Sequence, residues 1–142
     1  MELPFSYTLI RARRKTVQLR VDPDGQVTLR APQSIRRAQA QAVLPARTTD
    51  WARRMGVCPA GVRITSATRR WGSCSAENRI CYSFRVMLLP EALQEYIIVH
   101  ELAHIRQKNH SAAFYAEGAR FLPDFLARRQ ALRAWEAEHP LG

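Results

Sequence analysis

The segment from Pro90 to His104 is the part of this sequence that most constrains its fold. Pro90 lacks a backbone N–H and fits the first turn of a helix, where that donor would be unpaired. The residues that follow at spacings of three and four would share one stripe of this helix. They are Leu93, Ile97, His100 and His104. The two histidines are therefore either buried residues whose ring nitrogens form hydrogen bonds within the core, or residues that bind one group together.

The same turn of helix carries a metal-binding pattern. His100-Glu101-Leu102-Ala103-His104 matches H-E-x-x-H. Residues four apart lie above one another on a helix, so both imidazoles could reach one zinc ion at about 2.0–2.1 Å. Glu101 would lie beside that stripe, where its carboxylate could act as a base without being a ligand. The pattern thus predicts two zinc ligands and a catalytic base from one turn.

A catalytic zinc usually has three protein ligands and one open position, so a third ligand is expected downstream. We favour His110, six residues beyond His104, because Asn109 tolerates the left-handed conformation that could turn the chain back towards the metal. Glu117 is the competing choice.

This arrangement implies Lewis-acid hydrolysis, with Glu101 taking a proton from water and returning it to the leaving amine. A tetrahedral oxyanion would need a hydrogen-bond donor besides the metal. The candidates by residue type are Arg70, Tyr82 and Tyr115.

The charge distribution suggests a second partner. The net charge is +10, and residues 1–70 hold 14 Lys/Arg against 4 Asp/Glu, whereas residues 71–142 hold 8 of each. A cluster of arginines can neutralise phosphates, so nucleic acid is a candidate partner, and a solvated basic face is the alternative. The arginines proposed as nucleic-acid contacts are Arg13, Arg14, Arg36 and Arg37.

The length of 142 residues predicts one domain over residues 1–142, with a basic β-rich half of about 1–70 and a zinc-site half of about 71–142. The three cysteines form no C-x-x-C pair, which favours a reducing compartment over a disulfide framework or zinc ribbon. No export signal and no apolar run of about 18 residues is present, so we expect a cytoplasmic protein outside the membrane.

Local patterns predict an α+β fold. Asp22-Pro23-Asp24-Gly25 should join a β-hairpin of about 15–21 and 26–31. A helix from Ile35 should break or kink at Pro45 before a second short helix through Trp51 to Met55. Strands are expected at 62–64 and 79–88, with a turn at 70–75 between them. Further helices should follow Ser111 and Pro123.

Several of these segments together resemble the YgjP-like metallopeptidase family, which is related to the SprT-like zincins. The resemblance runs from about Arg11 to Phe125. It rests on Arg14-Lys15-Thr16, Arg70-Trp71-Gly72-Ser73-Cys74-Ser75, Leu89-Pro90, the H-E-x-x-H segment, Asn109-His110-Ser111 and Phe114. It implies a compact zincin-like domain with an N-terminal β-hairpin or sheet, an active-site helix and C-terminal helices. It also implies zinc bound by His100, His104 and His110, with Glu101 as the catalytic residue.

We therefore expect a zinc-dependent hydrolase that cleaves peptide bonds in a peptide or protein substrate. One alternative is a zinc-dependent hydrolase of nucleotide phosphoanhydrides, in which arginines would bind the phosphates. The other is a nucleic-acid-binding module with a structural zinc. Glu101 argues against the last, because a closed structural site needs a fourth ligand rather than a free carboxylate, although Cys74 or Cys81 could supply that ligand.

Overall fold

The computed structural model describes residues 19–21, 27–29 and 33–140. The chain divides into two units, residues 1–39 and 40–142. In the first unit, β1 (Leu19–Val21) pairs antiparallel with β2 (Val27–Leu29). This pairing confirms the predicted hairpin with shorter strands, and its turn lies outside the described residues.

The first helix, α1, runs from Gln33 to Met55 without interruption. The prediction of a break at Pro45 followed by a second short helix was therefore wrong, whereas a kink at Pro45 stays a prediction. Proline inside a helix costs about 3 kcal/mol, because it removes one backbone hydrogen bond and crowds the preceding turn. Leu44, Trp51 and Met55 are buried in the core, and each large apolar side chain contributes roughly 1.5–3 kcal/mol. Burial of this face outweighs the local cost of the proline.

A three-stranded sheet follows, made of β3 (Gly61–Thr65), β4 (Gly72–Cys74) and β5 (Arg79–Ser83). The strand order is β3-β5-β4, with β3 parallel and β4 antiparallel to β5. Ile64, Ile80 and Tyr82 alternate with more exposed residues and are buried. The sheet therefore has one face in the core, and β4 lies at an edge among the strands that the structure describes.

Two predictions about this region were wrong. The segment 70–75 is not a turn, since it contains β4. The turn lies at residues 75–78, where Asn78 adopts a φ of 67° and its N–H donates to the Ser75 carbonyl. The strand predicted at 79–88 ends at Ser83, whose hydroxyl accepts a hydrogen bond from the Arg85 N–H and starts a 3₁₀ helix.

Three helices complete the fold: α2 (Glu91–Ala103), α3 (Ala112–Phe121) and α4 (Phe125–Glu138). Ser111 caps α3 as its position before a helix predicts, with its hydroxyl accepting from the Phe114 N–H. α2 packs against β4, α3 and α4, so the helix that carries the two histidines contacts both the sheet and the two helices that follow it. The predicted α+β class is confirmed. Within the described part of the chain, no helix combines the length and apolar character needed to cross a bilayer.

Candidate metal centre

Three histidine side chains converge at the end of α2. The Nε2 atom of His110 lies 3.1 Å from that of His104 and 3.2 Å from that of His100. All three candidate ligand atoms lie within 4.8 Å of one another. The structure thus brings together the three histidines that the sequence singles out, from two segments of the chain.

The turn that delivers His110 differs from the predicted one. α2 ends at Ala103, and His104 keeps a helical conformation with φ −65° and ψ −16°. Tight turns follow at once, because the N–H groups of His104, Ile105 and Arg106 donate to carbonyls three residues earlier. Positive φ occurs in the described residues only at Gly56 and Asn78, so Asn109 does not adopt the expected left-handed conformation.

Two of the three nitrogen–nitrogen separations match those around a tetrahedral ion. Ligand atoms about 2.05 Å from a tetrahedral zinc ion are separated by about 3.3 Å. The two measured separations, 3.1 and 3.2 Å, are close to that edge length. Neither Cys74 nor Cys81 belongs to the cluster, and among the described residues no fourth His, Cys, Asp or Glu completes it. The donor set is therefore suited to zinc with one position open.

A single aromatic ring supports the three imidazoles. Phe114 on α3 is fully buried, and its ring stacks on His104 with centroids 4.3 Å apart. The same ring meets His100 edge-on at 4.9 Å and His110 at 5.1 Å. Because each imidazole packs against this fixed surface, the orientation of the cluster depends on how α3 docks on α2.

The second ring nitrogens of two histidines also have partners. The Nδ1–H of His104 donates to the Gln107 carbonyl at 2.9 Å, and since a carbonyl only accepts, the lone pair of His104 is on Nε2. The Nδ1 of His100 lies 3.3 Å from the Tyr96 hydroxyl. Burial is the main cause that lowers the pKa of His100 to about 3, and burial also lowers the pKa of His104. Both rings are therefore neutral near pH 7, which is the form that binds metals.

Glu101 lies on the side of α2 that faces the sheet. It is 5% exposed, and a Cβ atom placed on Gly72 would lie 3.1 Å from its Cγ and 3.2 Å from its Oε2. Gly72 in β4 thus leaves the space that the carboxylate occupies. Burial raises the pKa of Glu101 to about 8, and the positive charge of Arg70 opposes this rise. Among the described residues, none donates a hydrogen bond to this carboxylate.

The competing ligand, Glu117, is engaged elsewhere. Its carboxylate is buried and accepts from Arg106 at 2.7 Å and from Arg120 at 3.2 Å. Arg106 also donates to the Gly56 carbonyl at 3.1 Å. Glu117 therefore ties the turn after α2 to α3 and does not belong to the histidine cluster.

The three candidate oxyanion contacts have different positions. Tyr82 is fully buried and its hydroxyl pairs with Thr48 at 2.9 Å, so it lies in the core, where it cannot reach a substrate. Tyr115 is half-buried beside Phe114, with its ring beneath the Arg129 guanidinium at 5.4 Å. Arg70 is exposed and near enough to Glu101 for its charge to lower the pKa of that carboxyl. Arg70 is the candidate best placed to contact a substrate.

The proposed nucleic-acid contacts are only partly described. Arg13 and Arg14 lie outside the described residues. Arg36 and Arg37 lie on α1, are half-buried, and each has an interaction partner. Their positions alone do not define a phosphate-binding surface.

Sequence patterns did not predict the roles of three residues around this centre. Gly72 lies against Glu101, Tyr96 contacts His100, and Phe114 packs against all three histidines. Tyr96 could have been noticed, since it precedes His100 by four residues and so lies on the same helical stripe. Gly72 and Phe114 act through contacts between distant parts of the chain, for which one sequence carries no local signal.

Comparisons with known proteins give a family and a similar fold. The model of the YgjP-like family, described as a metallopeptidase domain, matches residues 33–134. The crystal structure of the metallopeptidase zymogen of Pyrococcus abyssi abylysin has a similar fold, with a TM-score of 0.58 and 20% sequence identity. That similarity covers 68% of this chain and 95% of the abylysin chain. A comparison with curated proteins gives no match. Because the family model spans more than two thirds of the chain, this protein belongs to the YgjP-like metallopeptidase family and is a hydrolase.

Proposed function

We propose that this protein is a zinc-dependent metallopeptidase, with zinc held by His100, His104 and His110 and with Glu101 as the general base. The observation that carries the proposal is the convergence of three histidine nitrogens, two of whose separations match a tetrahedral ion. The buried carboxylate of Glu101 directly follows the first of these histidines on the same helix. A protein ligand set of three leaves one position for water or substrate, which is typical of catalytic rather than structural zinc sites.

Zinc, when bound, would supply Lewis-acid chemistry, polarising water and the carbonyl group under attack. Glu101 would accept the proton that water loses and donate it to the leaving amine. The apolar surroundings of Glu101 favour its protonated form and so make it a strong base once it is ionised. Arg70 is exposed beside this carboxylate and would donate hydrogen bonds to the carbonyl oxygen as negative charge develops there.

The position of β4 supports a peptide as the substrate. Among the described strands, β4 lies at the edge of its sheet, and its first residue, Gly72, contacts Glu101. An extended peptide could pair with the free edge of such a strand, which would place its backbone amides beside the base. A nucleotide would gain nothing from this edge, so the geometry favours peptide over phosphoanhydride hydrolysis.

The test combines metal content with hydrolysis. Purified protein should contain one zinc per chain and should cleave members of a diverse peptide library. Activity should disappear after metal removal by a chelator and return when zinc is added. The same samples should be given a panel of nucleoside triphosphates and diphosphates. Hydrolysis of the nucleotides but not the peptides would contradict the proposed substrate class, and a chain that binds no zinc would contradict the metal centre.

Nucleic acid is proposed as a second partner, supported by the excess of positive charge in residues 1–70.

A further inference from the structure

We propose that Tyr96 is a positioning residue whose hydroxyl oxygen holds the Nδ1–H of His100, so that Nε2 of this histidine is presented to the metal. This inference rests on the proposed metal centre and adds a residue to it. Tyr96 itself would touch neither metal nor substrate.

The contact joins two residues on successive turns of α2. The Tyr96 hydroxyl lies 3.3 Å from Nδ1 of His100, and the two rings meet edge-on with centroids 5.6 Å apart. Tyr96 as a whole is only 3% exposed, so its ring is enclosed by the protein. A neutral imidazole carries one N–H and one lone pair. If Nε2 is to bind a cation, the proton must be on Nδ1, and the phenol oxygen is the acceptor present there.

The phenol ring is held in place from the other side. Phe125 is fully buried and packs against the Tyr96 ring at 4.9 Å. Phe125 in turn packs tightly on Gly118, since a Cβ atom there would lie 2.5 Å from the Phe125 ring. Tyr96 therefore has little freedom to move its hydroxyl away from His100.

The Nδ1 atoms of His100 and His104 have different hydrogen-bond partners, a tyrosine hydroxyl and a backbone carbonyl. The Gln107 carbonyl can only accept, so it fixes the tautomer of His104 before any metal binds. A phenol can donate or accept, so Tyr96 allows both tautomers of His100 without metal and stabilises the Nδ1–H form once Nε2 is a ligand. Partners of this kind typically change metal affinity 10–100-fold.

The test replaces the hydroxyl alone. Tyr96→Phe should weaken zinc affinity by about 10–100-fold, measured by competition with a chromophoric chelator, because the Nδ1–H of His100 would be buried without an acceptor. Tyr82→Phe is the matched control, since it also removes a buried tyrosine hydroxyl, one bonded to Thr48 rather than to a histidine. The control should bind zinc like the wild-type protein. Circular dichroism and thermal unfolding would show that both variants fold.

A spectroscopic readout separates positioning from general destabilisation. In zinc-loaded, ¹⁵N-labelled protein, the Nδ1 proton of His100 should be detectable in the wild type. In Tyr96→Phe it should shift or exchange faster with water, and the Nδ1 proton of His104 should be unchanged. Equal zinc affinity in Tyr96→Phe and wild type, or equal loss in both tyrosine variants, would overturn the role of Tyr96. Failure of the wild-type protein to bind zinc would instead overturn the metal centre on which the inference rests.

Discussion

Substitution of Gly118 by alanine tests how tightly Phe125, the ring that packs against Tyr96, is held in the core. The new Cβ would lie 2.5, 2.6 and 2.7 Å from three carbon atoms of the Phe125 ring, whereas carbon atoms in contact prefer about 3.5–4.0 Å. Phe125 is fully buried, so its ring can move only by displacing its neighbours. Overpacking of this kind costs roughly 1–3 kcal/mol.

An opposite effect must be subtracted, because alanine favours a helix over glycine by about 1 kcal/mol. We therefore expect a net loss of up to about 2 kcal/mol in the free energy of unfolding for Gly118→Ala, and a Tm lower by up to roughly 8 °C. Urea and thermal unfolding at a fixed zinc concentration would measure both. Gly61→Ala is the control, because nothing lies within 4 Å of a Cβ placed there. A Gly118→Ala protein that is more stable than wild type would refute the packing described around Phe125.

Three further predictions concern the metal, pH and salt. His110→Ala should lose bound zinc, whereas Glu117→Ala should keep it. Glu117→Ala should be less stable by about 1–3 kcal/mol, because it removes a buried partner of two arginines. Zinc lost from Glu117→Ala alone would make Glu117, not His110, the third ligand. The pKa of His100 falls from 6.5 to about 3 on folding, so the metal-free protein should lose stability as the pH falls through this window. The pKa of Glu101 rises from 4.5 to about 8, so stability should also fall as the pH rises through that window, leaving a maximum between about pH 4.5 and 6.5. Urea unfolding from pH 3 to 9 would measure this dependence, and each group should change the free energy of unfolding by at most about 1.4 kcal/mol per pH unit. A free energy of unfolding that only rises or only falls over this range would contradict the predicted maximum. Nucleic-acid affinity should fall steeply with salt concentration. Each phosphate-neutralising arginine that is replaced by a neutral residue should reduce the slope of log affinity against log salt by up to about 0.9. A slope unchanged by replacement of all four proposed arginines, Arg13, Arg14, Arg36 and Arg37, would exclude them as contacts.

The parts of the fold that the sequence predicted well depend on contacts between near neighbours. The spacing of His100 and His104 is set by the geometry of one helix, and the Asp22–Gly25 turn chemistry and the Ser111 cap act over a few residues. These patterns identified α2, the hairpin and α3 before any tertiary contact was known.

The errors arose where distant contacts outweigh local preference. Pro45 disfavours a helix locally, but the buried face of α1 keeps the helix intact. Gly72 suggests a turn by composition, yet it lies in β4, which pairs with β5, and a side chain there would crowd Glu101. Tyr82 has the right chemistry for an oxyanion contact, but its position in β5 directs it towards Thr48 in the core. One sequence gives the residue types of a site more readily than the direction in which each side chain points.

The most direct test of the proposed chemistry is the ratio of hydrolysis rate to zinc content in Glu101→Gln. Glutamine keeps the size of the side chain and all three histidines, so the variant should fold and retain one zinc per chain. It cannot take a proton from water, so turnover per bound zinc should fall by about 10²–10⁴-fold, the usual contribution of general acid–base catalysis. Metal content and rate must be measured on the same preparation. Full zinc with a rate near that of the wild type would contradict the assignment of Glu101 as the base, and loss of zinc with activity would show that Glu101 supports the metal centre instead.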